Sequence, residues 1–244
     1  TIPSTVTEIE PYRNNIFKEI IVSENNTSYV SVDGVVFTSD KKTLVIYPVK
    51  NIARSYIVPE GTEVLGKFSF EAGRVLNEIS LPDSLIKIES DCFAYSTLEV
   101  VNFGANLEII EEYAFHSTWL RIVELPDKVS TLDNGTFKYC SNLETLIFGT
   151  GITSIDYDAF GDNYELQNIH YKVTQQQWED VSKPSYFEDY ETHFNSLSDV
   201  QQIEADCEND GHTAGIFCSE CDDFITGKVI KIPSSLVLAN SISP

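Results

Sequence analysis

Apolar side chains recur along this chain with a period of 22 or 23 residues. Five phenylalanines set the register: Phe70, Phe93, Phe115, Phe137 and Phe160. Five positions before each stands an aliphatic residue (Leu65, Ile88, Ile110, Leu132, Ile155), and five or six after each stands a leucine (Leu76, Leu98, Leu120, Leu143, Leu166). Three residues further on come Ile79, Val101, Val123, Leu146 and Ile169, and two beyond those Leu81, Phe103, Leu125, Phe148 and Tyr171. The unit I/L-x4-F-x4–5-L-x2-I/V-x-L/F runs five times without a break.

In the segment L-x2-I-x-L the last two apolar residues are two apart, so they share one face of a short strand. Pro82-Asp83, Gly104-Ala105, Pro126-Asp127 and Gly149-Thr150 then end each strand in a turn. The x4-F segment returns along the other side as a tight turn or a short helical piece. One such coil cannot bury its own apolar edge, whereas stacked coils share a continuous core. The pattern predicts a β-rich α/β repeat fold, a right-handed solenoid with a parallel sheet on one face. Each register phenylalanine lies beneath the next, contributing about 1.5–3 kcal/mol when fully buried.

Strand residues that point away from this core form two columns, Glu78, Val100, Ile122, Thr145 and Asn168 in one, Ser80, Asn102, Glu124, Ile147 and His170 in the other. Val100, Ile122 and Ile147 make a diagonal apolar strip rimmed by Glu78 and Glu124. Glu78, Val100, Asn102, Ile122, Glu124, Thr145, Ile147 and His170 are therefore the candidate partner-binding residues. Strand propensity alone also accounts for β-branched residues at these places.

The runs LPDSLIKIESDCFAYSTLEVVNF (81–103) and LPDKVSTLDNGTFKYCSNLETLIF (125–148) resemble the BspA-like leucine-rich repeats of bacterial surface proteins. The resemblance is strong over 53–171 and looser over 16–59, where Phe17-x2-Ile20-x-Val22 reads as an earlier strand. Residues 29–49 resemble the hairpin-like unit this family carries ahead of its regular coils, with turns at Asp33-Gly34 and Ser39-Asp40-Lys41. Residues 170–181 resemble the family's exit helix, with Thr174 as N-cap and Trp178 covering the end of the core.

The resemblance implies a leucine-rich-repeat solenoid and a non-catalytic, cell-surface or secreted protein adhering to a host or neighbouring-cell protein through its strand face. A carbohydrate or cell-wall binding module and a structural spacer in a larger surface protein are the alternatives. The strand columns carry no ring other than His170, which disfavours the carbohydrate reading there. The chain then divides into an irregular N-terminal hairpin unit (1–52), coils and exit cap (53–182), a linker (183–205) and a small Cys-containing module (206–244).

Charge narrows the partners. Among the 244 residues, 38 acidic side chains stand against 16 basic ones, a net charge of −22. Such a surface repels phosphate backbones and anionic lipid, so nucleic acid is excluded, while the resemblance implies an extracellular protein or glycan as the ligand. No stretch approaches the roughly 18 consecutive apolar residues of a membrane span. Thr1-Ile2-Pro3-Ser4 lacks the pattern of a signal peptide, so an extracellular or cell-surface placement supposes a leader already removed.

The C-terminal stretch holds Cys207-x4-His212-x5-Cys218-x2-Cys221. One C-x2-C turn presents two thiolates to a single ion, so Cys207, His212, Cys218 and Cys221 form a candidate structural zinc site. A disulfide between two of these cysteines, favoured by secretion, and free thiols stay open beside it. Cys92 takes the slot before a register phenylalanine that Ser69, Ala114, Thr136 and Ala159 fill elsewhere, and with Cys140 reads as a core thiol. Asp206-x-Glu208-x-Asp210-Gly211 opens like a calcium loop, but its twelfth position is Phe217 rather than a bidentate Glu. His116, His170, His193 and His212 fall in no catalytic motif, and no other cofactor is expected.

Overall fold

The computed structural model describes residues 1–194 apart from 12 and 14, and beyond them 197–200, 211–212, 215–219, 223–224 and 229–230. The chain divides into two compact units, Thr1–Thr192 and His193–Pro244.

The first unit is a solenoid. Strands Ser55–Ile57, Glu78–Ser80 and Val100–Asn102 pair in parallel, as do Ile122–Glu124, Thr145–Phe148 and Asn168–Tyr171. Register advances by one coil, so Ile79 lies beside Val101 and Leu146 beside Ile169. These inward residues are buried, which is why they must be apolar.

A second ladder runs along another side of the coils. Val64–Leu65, Lys87–Ile88 and Ile109–Ile110 pair in parallel, and Thr131–Leu132 pairs with Ser154–Ile155. The expectation of strands on one face only is thus incomplete. Each two-residue strand contributes a single inward aliphatic, too few for an alternating signal.

The register phenylalanines sit in turns rather than helical pieces. Their backbone forms a third ladder: the N–H groups of Phe70, Phe93, Phe115 and Phe137 donate to the carbonyls of Cys92, Ala114, Thr136 and Ala159 at 2.8–2.9 Å. Residues two before and two after the ring adopt left-handed backbone, Phe68 and Ala72, Asp91 and Tyr95, Tyr113 and Ser117, Gly135 and Tyr139, with φ between 55° and 64°. That conformation costs a non-glycine residue about 1–2 kcal/mol, and the bonds to the next coil offset it.

Inside, the rings form a stack that Tyr47 begins. Successive centroids from Tyr47 through Phe70, Phe93, Phe115 and Phe137 to Phe160 lie 4.8, 4.8, 5.0, 5.1 and 5.4 Å apart. The spacing is close to the 4.7–4.9 Å separation of hydrogen-bonded strands, so coil pitch and ring stacking agree.

One level of the stack differs. Between Val100–Asn102 and Ile122–Glu124 the strand ladder is interrupted, and between Ile109–Ile110 and Thr131–Leu132 the second ladder stops as well. The turn-side ladder continues across the same level, with Phe115 donating to Thr136 at 2.9 Å and Ser117 to Lys138 at 2.8 Å. The two coils are therefore joined along the phenylalanine turns and just ahead of the strands, where the Trp119 N–H donates to the Leu98 carbonyl at 3.0 Å, and are parted along the strands themselves.

Both ends of the solenoid are closed. Tyr29–Val32, Val35–Thr38 and Thr43–Ile46 form an antiparallel hairpin unit as expected, turning at Asp33-Gly34, and its last strand pairs in parallel with Val64–Leu65. Positive φ at both turn residues (48° and 80°) suits a tight two-residue hairpin. At the other end Thr174 caps helix Gln175–Glu179 through a capping box with Gln177. Buried Trp178 packs 5.4 Å from Phe148 and 5.0 Å from Tyr171.

The stretch read as a linker from 183 instead holds a 3-10 turn, Ser185–Asp189. Its Phe187 is buried 5.9 Å from both Trp178 and Phe160. Lone among polar residues, Phe187 carries no periodicity to reveal it. In the second unit, Leu197–Val200, Gly215–Cys218 and Asp223–Phe224 form an antiparallel sheet, and Gly211–His212 pairs with Val229–Ile230.

Candidate binding surface

The strand face holds five of the eight candidate residues at the surface. Glu78 and Asn102 are exposed, Val100 is 45% exposed, and Ile122 and Glu124 are half-buried. Thr145, Ile147 and His170 are buried, Ile147 completely. They are structural rather than available to a partner, and the apolar strip ends at Ile122.

The ladder explains part of this burial. Ile147 lies between Glu124 and His170, and Lys172 Nζ reaches back two coils to Glu124 Oε1 at 2.8 Å, across the coil that carries Ile147. Thr145–Phe148 is buried at all four positions, so the alternation on which the outward assignment rested is lost there. Ile57, 76% exposed, lies in register with Ser80 in the same column as Asn102 and extends the open apolar surface the other way.

Where the strand ladder is interrupted, a groove of about 410 Å³ opens, with Asn102, Phe103, Glu124, Pro126 and Lys172 in its walls. Asp83 and Asp127 also line it, but their carboxylates accept the backbone N–H groups of Ala105 (2.8 Å) and Thr150 (2.9 Å) and so hold neighbouring turns. The charges at the strand entries follow the same division. Asn77 Nδ2 donates to Glu99 at 2.6 Å and Arg121 clasps Glu144 at 2.8–3.1 Å, while no ion pair among the described residues joins Glu99 to Arg121 across the interruption.

Glycines permit the close approach of the coils on either side. A Cβ on Gly104 would lie 2.0 Å from the carbonyl oxygen of Pro82, and one on Gly149 2.6 Å from that of Pro126. The coils thus close tightly on each side, with the groove between the two groups of paired strands.

Of the four candidate zinc ligands, Cys207 and Cys221 and the side chain of His212 lie outside the described residues. Cys218 is buried, and His193 Nδ1 stands 3.3 Å from its Sγ. His193, 25 residues earlier, belongs to no spacing motif that would have drawn it into that set. Cys92 and Cys140 are buried core thiols, as expected, each 3.2 Å from a hydroxyl oxygen, of Ser69 and Thr118 respectively. Burial pushes both thiols up, Cys140 to about 11, which keeps them unreactive near neutrality.

Short parallel strands lining coils of 22 or 23 residues, with a stacked phenylalanine spine and a capping helix, define a leucine-rich-repeat solenoid. Six copies of the BspA type leucine rich repeat match residues 53–182, and the chain belongs to that family. It is similar to the pneumococcal vaccine antigen PcpA, at 27% identity and a TM-score of 0.69, over 79% of this chain and 54% of that one. A leucine rich cell surface protein of Faecalibacterium prausnitzii shares the fold at 22% identity and a TM-score of 0.62, over 68% of this chain and 45% of its own. A leucine-rich repeat protein of Eubacterium ventriosum does so at 19% identity and a TM-score of 0.55, over 85% of this chain and 61% of its own. The chain thus spans about half the length of the first two. No curated protein matches it. Among the described residues no helix is long and apolar enough to cross a membrane.

Proposed function

We propose that this chain is a non-catalytic binding segment of an extracellular or cell-surface protein, and that it adheres to a host or neighbouring-cell protein through its strand face. The observation that carries the reading is the groove at the interrupted ladder, flanked by exposed Val100 and half-buried Ile122. It combines apolar walls at Phe103 and Pro126 with the Asn102 amide and the Glu124–Lys172 pair. Apolar side chains at the centre of a patch supply most binding energy, and a polar rim sets orientation. The Faecalibacterium prausnitzii neighbour is named as a cell surface protein and PcpA as a vaccine antigen, and both names support the extracellular placement.

The test measures binding of purified extracellular-matrix proteins to the wild-type chain and to a Val100→Lys, Ile122→Lys variant by surface plasmon resonance. Loss of binding in a folded variant is expected. Unchanged binding would remove the strand face from the interaction.

A further inference from the structure

We propose that the phenylalanine turns carry a second binding site, a strip of rings formed by Tyr95, His116 and Tyr139 that takes a neutral pyranose oligosaccharide. His116 stands at its centre, edge-on to its neighbours: its ring centroid is 5.0 Å from that of Tyr95 and 5.4 Å from that of Tyr139, at interplanar angles of 70° and 82°. Tyr113 backs it at 5.7 Å. Tyr95 and Tyr139 are 44% and 49% exposed, and Lys138 Nζ stands over the Tyr139 ring, 5.1 Å from its centroid.

Tyr95 and Tyr139 occupy the same register position two coils apart, with Ser117 at that position between them. At one strand spacing per coil they are about 10 Å apart, roughly the length of two linked sugar rings. The phenolic ring matches a pyranose chemically. Both present a flat apolar face with hydroxyl groups at the rim, so stacking and hydrogen bonding are satisfied together.

Two features argue that the strip is more than stray surface. Gly135 makes room for the assembly, since a Cβ there would lie 2.3 Å from the Tyr113 ring. The strip also crosses the interrupted level on the one ladder that stays intact, so its rings are held in place before a ligand arrives.

Charge selects the ligand class. The ionic groups that border the strip are already engaged with one another, Arg13 with Glu71 and Asp91, and Lys138 with Asp158. A charged glycan would have to break these pairs, whereas a neutral one gains the ring contacts without doing so.

Hexasaccharides of glucose, mannose and N-acetylglucosamine are the probes, read by isothermal titration and by saturation-transfer NMR from the tyrosine ring protons. At least one should bind the wild-type chain and receive saturation on its ring C–H protons. Tyr95→Asn with Tyr139→Asn suits the backbone at both sites, so melting temperature should hold while affinity falls about tenfold or more. Tyr95→Phe with Tyr139→Phe keeps the rings and should keep most of the affinity. Val100→Lys with Ile122→Lys on the strand face should leave it unchanged. The proposal is overturned if no hexasaccharide binds, if the bound sugar receives no saturation from tyrosine, or if binding survives the asparagine pair.

Discussion

The rings of Phe115 and Phe137 lie 5.1 Å apart between centroids and within 6° of parallel, at the one level where the strand ladder beside them is broken. The stack therefore carries the connection between these coils together with the turn-side backbone. Phe115 is completely buried, touching Phe93 on its other side at 5.0 Å and Phe103 edge-on at 5.7 Å. Removing its ring leaves a cavity that neighbours on both sides cannot fill. Phe115→Ala is expected to cost about 3–5 kcal/mol in urea unfolding. A negligible loss would mean that the rings do not support one another.

Gly104 tests the pairing of coils. The carbonyl oxygen and carbon of Pro82 lie 2.0 and 2.5 Å from where its Cβ would be, and both are backbone atoms that cannot swing aside. Gly104→Ala is expected to lose about 1–3 kcal/mol or more. The control is Gly73→Ala, whose nearest atom would be 3.3 Å away. Equal melting temperatures for the two variants would contradict this packing.

The interruption should also be visible in hydrogen exchange. The amides of Val58, Leu81 and Leu125 donate to Ser80, Asn102 and Ile147 on the next coil at 2.8–2.9 Å, but the equivalent amide of Phe103 has no such acceptor. Its exchange should be faster than that of Leu81 and Leu125 by about tenfold or more, because no bond need open first. Equal protection at all three positions would show the ladder to be continuous.

These features mark where the sequence could be read and where it could not. The coil period, the inward strand residues, the hairpin turn at Asp33-Gly34 and the Thr174–Trp178 cap all announce themselves through spacing, because apolar burial repeats and turns demand particular residues. Ile147 misled for the same reason: it occupies an outward register position, and nothing local records that its strand is buried at every position. The groove depends on which neighbouring coils bond, and Pro126 after a run much like Leu81-Pro82 gives no hint that one level opens. The ring strip was hidden because Tyr95 and Tyr139 stand two residues after their phenylalanines and His116 one after its own, so no single offset repeats a ring from coil to coil, and the three meet only when three turns are stacked.

His116 gives that strip a measurable pH dependence. Burial holds its imidazole below the usual 6.5; Asp91 and Asp158 pull it upward, while Lys138 and Arg13 push it down. An unfolded histidine takes up a proton near pH 6.5, whereas the folded one does so only at lower pH. Between these two values the unfolded chain binds more protons, so stability present above pH 6.5 is lost as the pH falls through the folded value. His116→Phe keeps an edge-on ring but cannot titrate. Carboxylate titrations common to both proteins cancel in the comparison. The difference in melting temperature between wild type and variant should therefore shift against the wild type from about pH 7.5 to about pH 5. If that difference stays constant, His116 is not held neutral by its surroundings, and its ring is more open to water than its place among the tyrosines requires.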